Sequence, residues 1–151
     1  MFSLIFIIHA LVCILVTAVM WYIQVVHFPM LRFVGADRFE QYYRELKMKN
    51  TLLFFPLFSL EIFTSIALLL SFTMVSDFTP SVQKQFFLVG FSLILLFVLH
   101  LVNFQMIRPL LSSLQTDTDG KKHQRLVRMQ WIRTLGWTIR LIMLLSMIFT
   151  A

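Results

Sequence analysis

Four long apolar stretches alternate with short polar segments along the chain. They cover residues 3–26, 51–74, 86–107 and 132–150. Each is close to the roughly 20 apolar residues that a membrane-spanning helix needs. Charged or turn-forming residues bound each stretch. The pattern predicts an all-α, polytopic membrane protein: an up-down bundle of four transmembrane helices, forming one membrane domain over residues 1–151.

A shorter pattern lies in the first predicted loop. There Phe39, Tyr42, Tyr43 and Leu46 recur at helical spacing among charged residues. That arrangement is typical of an amphipathic helix lying on a membrane surface. We therefore expect a short interfacial helix in loop one, separate from the second span. In the third loop, residues 121–130 are expected to begin the fourth helix before it enters the bilayer.

Composition excludes an ordinary soluble domain. Of the 151 residues, 59% are hydrophobic and 13% are charged, whereas soluble domains carry about 25% charged residues. The single Cys13 excludes an internal disulfide and any paired-cysteine motif, and we expect it only to pack. No cation precedes the first apolar stretch, so we interpret it as a retained helix rather than a signal peptide.

The cations predict the orientation of the helices. Loop one carries five of the 13 Lys and Arg residues, and loop three with its exit carries six more. With the acidic residues of both loops subtracted, this face holds the whole net charge of +6. The positive-inside rule then predicts that both loops lie in the cytoplasm and both termini lie outside. The basic charge thus indicates topology and lipid head groups rather than nucleic acid.

Two ionisable residues fall inside the predicted spans. Glu61 is ten residues into the second span, about 15 Å deep, and Arg140 is about 10 Å into the fourth. An unpaired charge at that depth is costly, and a bidentate pair is the usual remedy. We predict that Glu61 and Arg140 pair or share a polar pocket, either as an internal staple between helices or as part of a functional site.

Polar side chains of three predicted helices share the half nearer the basic loops. The fourth helix has one polar face. Its members are Gln130, Arg133, Trp137 and Arg140. The first and third helices add Gln24, His27, His100 and Asn103.

These polar residues suggest two functions. The first is binding, or acting on, a lipophilic small molecule in a polar chamber that opens toward the inner leaflet. His27 or His100 would then be the catalytic candidate that moves a proton. The binding residues would be Gln24, Asn103, Arg133, Trp137, Arg140 and Glu61. The alternative is a noncatalytic accessory or assembly subunit of a membrane complex, in which the polar groups are hydrogen bonds between helices.

No cofactor or metal is expected, and enzyme activity stays open. His9 and His100 lie at different depths, His123 is expected to be solvated, and the spacings typical of zinc or carboxylate–histidine sites are absent. No nucleophile motif or internal sequence repeat occurs. The expected partners are the lipid bilayer, a lipophilic ligand, and a second copy of the chain or another membrane protein. A small oligomeric channel is a third hypothesis.

Two segments resemble a known sequence family. Residues 21–29 read WYIQVVHFP and residues 130–140 read QWIRTLGWTIR. They are similar to the WxxQxVHYP and NWIRTxxWTxR signatures of small bacterial four-helix integral membrane proteins of uncharacterised function. The layout is also remotely similar to that of anthrone-oxygenase-like membrane proteins. The resemblance implies a four-helix membrane fold in a bacterial inner (plasma) membrane, and no particular activity.

The chain departs from that family pattern at histidine positions. Tyr43 and Leu46 stand where the family has histidines in the first loop. Residues 105–109 read QMIRP, where the family has a Q-x-P-x-H motif. Metal or proton chemistry that relies on those histidines is therefore not expected here.

Overall fold

The computed structural model describes residues 2–73, 79–116 and 120–147. Over these ranges the chain is helical almost throughout and contains no strand, which confirms the all-α prediction. The predicted span ends at residues 74 and 148–150 lie outside them. Six α-helical segments follow one another: α1 (Phe2–Tyr22), α2 (Phe28–Met30), α3 (Ala36–Thr73), α4 (Pro80–Val102), α5 (Arg108–Ser112) and α6 (Lys121–Ser146).

The order of helix types in the first half of the chain recurs in the second. A π-helical turn continues α1 into α2, and a 3₁₀ turn then leads toward α3. Another π-helical turn continues α4 into α5, and another 3₁₀ turn follows. The four turns are Ile23–His27, Leu31–Phe33, Asn103–Ile107 and Ser113–Thr116. The sequence shows no repeat, yet the backbone has one.

A proline follows each π-helical turn at the same distance. Pro29 comes two residues after His27, and Pro109 comes two residues after Ile107. Proline has no N–H group, so a regular helix would leave the carbonyl four residues earlier without its donor. A wider π turn at this point changes which carbonyls are paired, and such turns are often found at functional sites.

The amphipathic segment of loop one is not a separate helix, so that prediction is wrong. It forms the beginning of α3, which runs without interruption for 38 residues. No helix breaker separates the segment from the apolar residues that follow, and Pro56 lies within the helix. Phe39 is buried and Tyr42 packs against the protein core, so part of this face contacts protein. At 1.5 Å per residue α3 is about 57 Å long, more than a bilayer core requires.

Three helical segments are long and apolar enough to cross a membrane. They are Leu4–Phe33, Asp37–Thr73 and Pro80–Ser112. The fourth long helix, α6, is not among them, and it carries Arg133 and Arg140 within its apolar part. As the sequence predicts, α6 begins at Lys121, before that apolar part.

The long helices surround a common interior. Both α1 and α4 pack against α3 and α6, so that α3 faces α6 across the centre. His9 and Cys13 of α1 contact Thr64 and Glu61 of α3 respectively, which shows that these two helices are antiparallel. At one end of the structure the chain passes from α2 to α3 and from α5 to α6. We call this end the basic end. Many large apolar side chains point away from the interior, as expected for contact with lipid.

A glycine of α6 lies against a buried leucine of α4. A Cβ atom at Gly136 would lie 2.5 Å from the Cδ2 atom of Leu99, which is itself buried. Small residues at helix crossings let two backbones approach in a membrane. Gly136 therefore has a packing role, because it leaves the space that the Leu99 side chain occupies.

We expect Gly136→Ala to lower the free energy of unfolding by about 1–3 kcal/mol, because the added methyl group overpacks the buried Leu99. Thermal unfolding in detergent measures the effect. Gly90→Ala is the matched control, since a Cβ at Gly90 meets nothing within 4 Å. Equal unfolding temperatures for the two variants would contradict the packing role.

Candidate functional site

A buried ion pair joins the two helices that face each other across the interior. Arg140 Nη1 of α6 donates to Glu61 Oε1 of α3, and their side chains are 1% and 0% exposed. Arg140 Nε also donates to the carbonyl and hydroxyl oxygens of Ser92, both at 3.1 Å. The guanidinium lies over the ring of Trp137, 4.9 Å from its centroid. The structure thus brings Glu61 and Arg140 together, as the sequence predicts, and ties α3, α4 and α6 to one site.

Two α1 residues extend this pair into a network. Cys13 Sγ donates to Glu61 Oε1 at 3.6 Å and lies 3.6 Å from His9 Nε2. His9 Nδ1 in turn lies 2.9 Å from Thr64 Oγ1. Sequence reasoning missed this role of His9 and Cys13, although their i, i+4 spacing places them on one face of α1.

A small cavity borders the network on the side away from the basic end. Its polar lining residues are His9, Ser65 and Ser92. The volume open to the centre of a water molecule is about 10 Å³. A cavity of this size holds roughly one water molecule. Within the described part of the chain, Ser65 Oγ and Arg140 Nη2 are buried without a hydrogen-bond partner. This cavity therefore has room for little more than one water molecule beside these polar groups.

A second polar cluster lies toward the basic end and contains an uncompensated cation. Arg133 is 6% exposed, and its Nη1 donates to Gln130 Oε1 at 3.1 Å. Arg133 Nε is buried without a partner, and no carboxylate pairs with this guanidinium in the described ranges. Arg133 also interacts electrostatically with Arg108, which is positive. Unlike Arg140, Arg133 is a buried charge with no counter-ion from the described residues.

An aromatic layer lies between the two arginines along α6. The Phe58 ring stacks on Trp137 at 5.9 Å and meets His100 edge-on at 5.0 Å. The ring centroids of His100 and Trp137 are 6.2 Å apart. Among the described residues, His100 Nε2 and Trp137 Nε1 are buried without partners. Both nitrogens are therefore buried polar atoms that no described residue satisfies.

The remaining candidates lie on the π-helical turns or beside them. Gln24 donates to the Val127 carbonyl at 3.4 Å, while its Oε1 atom is buried without a partner in the described chain. His27 Nε2 is likewise buried and unpaired there, and Asn103 is half-buried. No described hydrogen bond or ring contact joins His27 to His100.

His123, which we expected to be solvated, instead contacts α2. Its Nε2 atom lies 2.7 Å from the Phe28 carbonyl oxygen. That contact helps to hold the start of α6 against α2. In the described ranges, no group of three or more His, Cys, Asp or Glu residues is arranged to hold a metal ion.

Comparison with models of protein families, with curated proteins and with solved structures gave no match for this chain. The functional argument therefore rests on the buried side chains themselves.

We expect Glu61→Gln to destabilise the protein by about 3–5 kcal/mol, because it leaves Arg140 charged and without its counter-ion. Thermal unfolding in detergent is the measurement. Glu45→Gln is the control, since Glu45 is an exposed acid on the same helix. If both variants unfold at the same temperature, the pair does not stabilise the fold.

Proposed function

We propose that the chain is a four-span integral membrane protein of a bacterial inner membrane. The three apolar segments and α6 form an up-down bundle with both termini outside and the basic end in the cytoplasm. The packing of α6 against α1 and α4 and the burial of Arg133 and Arg140 support a fourth span, because both charges face protein rather than lipid. The position of most cations supports the orientation.

Cysteine labelling from the two sides of the membrane tests this topology. Gln124→Cys at the basic end should react with an impermeant thiol reagent only from the cytoplasmic side. Gln83→Cys, near the start of α4, should react only from outside. Both positions are exposed, whereas the native Cys13 is buried and gives a low background. Labelling of both positions from one side would contradict the proposal.

Within this bundle, we propose a site that binds the anionic group of a lipophilic molecule. The observation that carries the proposal is Arg133, a buried guanidinium without a counter-ion among the described residues. A buried uncompensated charge is costly to a fold. A carboxylate or phosphate bound at Arg133 offsets that cost, and the nearby positive charge of Arg108 also attracts an anion.

The neighbouring groups suit the rest of such a ligand. Trp137 and Phe58 provide an apolar wall, while His100 Nε2 supplies a polar atom without a described partner. Gln24 and His27 belong to the π-helical turn between α1 and α2, and each adds one buried polar atom that has no partner among the described residues. The arrangement supports binding, and it assigns no reaction.

Arg133→Gln should weaken binding of a long-chain fatty acid by roughly 10- to 100-fold, because a charge-assisted hydrogen bond contributes about 1.5–3 kcal/mol. Quenching of tryptophan fluorescence by a brominated fatty acid measures affinity, with Trp137 beside the site. Binding of the brominated fatty alcohol of equal length should change little, since it carries no charge.

Arg128→Gln is the matched control, because Arg128 is an exposed arginine on the same helix. The Arg133→Gln variant should also unfold at an unchanged or higher temperature, since it removes an uncompensated charge. A strong loss of stability together with unchanged binding would instead favour the accessory-subunit alternative, in which Arg133 only links helices.

A further inference from the structure

An open groove runs along the outer face of α3 near the basic end. It is shallow and widely open, because α3 alone provides its lining. The lining residues are Arg44, Lys47, Met48, Thr51, Leu52, Phe55 and Pro56. The groove is separate from the interior site at Arg133, and neither the ion pair nor the aromatic layer contributes to it.

The end of the groove nearer the start of α3 is positively charged. Arg44 and Lys47 are exposed and three residues apart, so they lie on one face of the helix. In the described part of the chain neither side chain forms an ion pair, and the lining includes no acidic residue. Two neighbouring cations that form no ion pair among the described residues favour an anion such as a phosphate group.

The rest of the groove is apolar and exposed. Leu52 is 77% exposed and Phe55 is 71% exposed, and both face away from the protein interior. Lys47 precedes Leu52 by five residues, which is about 7 Å along a helix. The cations therefore lie at the level of lipid head groups when the apolar residues of α3 lie among acyl chains.

We propose that this groove binds an anionic phospholipid. Arg44 and Lys47 hold its phosphate, and one acyl chain lies along Met48, Leu52 and Phe55. Charge complementarity selects an anionic head group over a zwitterionic one, and the exposed apolar wall selects a lipid over a free phosphate ion. The binding itself does not depend on the ligand proposed for Arg133, and only the leaflet depends on the proposed orientation.

Native mass spectrometry of the full chain tests the proposal, with phosphatidylglycerol and phosphatidylcholine of identical acyl chains as probes. The wild type should bind phosphatidylglycerol more tightly. Lys47→Ala should weaken that binding about fivefold, because one cation near a membrane surface contributes about 1 kcal/mol. Lys49→Ala should leave that binding unchanged. It removes the same charge, but from an exposed position two residues away that lies outside the groove.

A second matched pair tests the apolar part of the groove. Phe55→Ala should weaken phosphatidylglycerol binding severalfold, whereas Phe63→Ala should leave it unchanged. Both phenylalanines are on α3 and are 71% exposed, but only Phe55 lines the groove. Because all four substituted positions are exposed, unchanged unfolding temperatures should show that each variant is folded.

Three results would overturn the proposal. The first is equal affinity for the two lipids, and the second is equal effects of the Lys47 and Lys49 substitutions. The third is displacement of the lipid by excess inorganic phosphate but not by chloride at the same ionic strength, which would indicate a simple anion site. Retention of phosphatidylglycerol in that competition supports the lipid groove.

Discussion

The Glu61–Arg140 ion pair is the interaction on which the packing of the helices depends. Each charge lies in an interior where an unpaired ion is costly, so neither helix can turn or slide without exposing its charge to an apolar environment. Ser92 accepts from the same guanidinium and Cys13 donates to the same carboxylate. One pair therefore sets the register of α3 and α6 directly, and of α1 and α4 through these contacts.

The pair also relates the two halves of the chain. Pro29 and Pro109 are separated by 80 positions and follow equivalent π-helical turns. Glu61 and Arg140 are separated by 79 positions, so they occupy nearly equivalent places in the two halves. One half contributes the carboxylate and the other contributes the guanidinium. The backbone repeat thus brings together side chains of opposite charge across the interior, although the sequence shows no repeat beyond these prolines.

The two buried arginines of α6 differ in the groups that surround them. Arg140 has a carboxylate, a hydroxyl and an aromatic ring as neighbours. Arg133, seven residues earlier, has a neutral amide and a second cation nearby. The first arrangement is typical of a structural link, whereas the second favours an external anion. The contrast assigns the two ends of the interior different roles in the proposed function.

Local properties of the sequence were enough to predict the helices and the pairing of Glu61 with Arg140, because apolar length and the cost of a buried charge can be evaluated residue by residue. The prediction of a separate interfacial helix was wrong, because residue spacing shows which face of a helix is apolar. Spacing does not show whether that helix continues into the next one. Only the tertiary structure showed that His9 and Cys13 reach the ion pair and that Arg133 has no counter-ion among the described residues. Those facts depend on which helices are neighbours, and distances between side chains far apart in sequence are decided by packing.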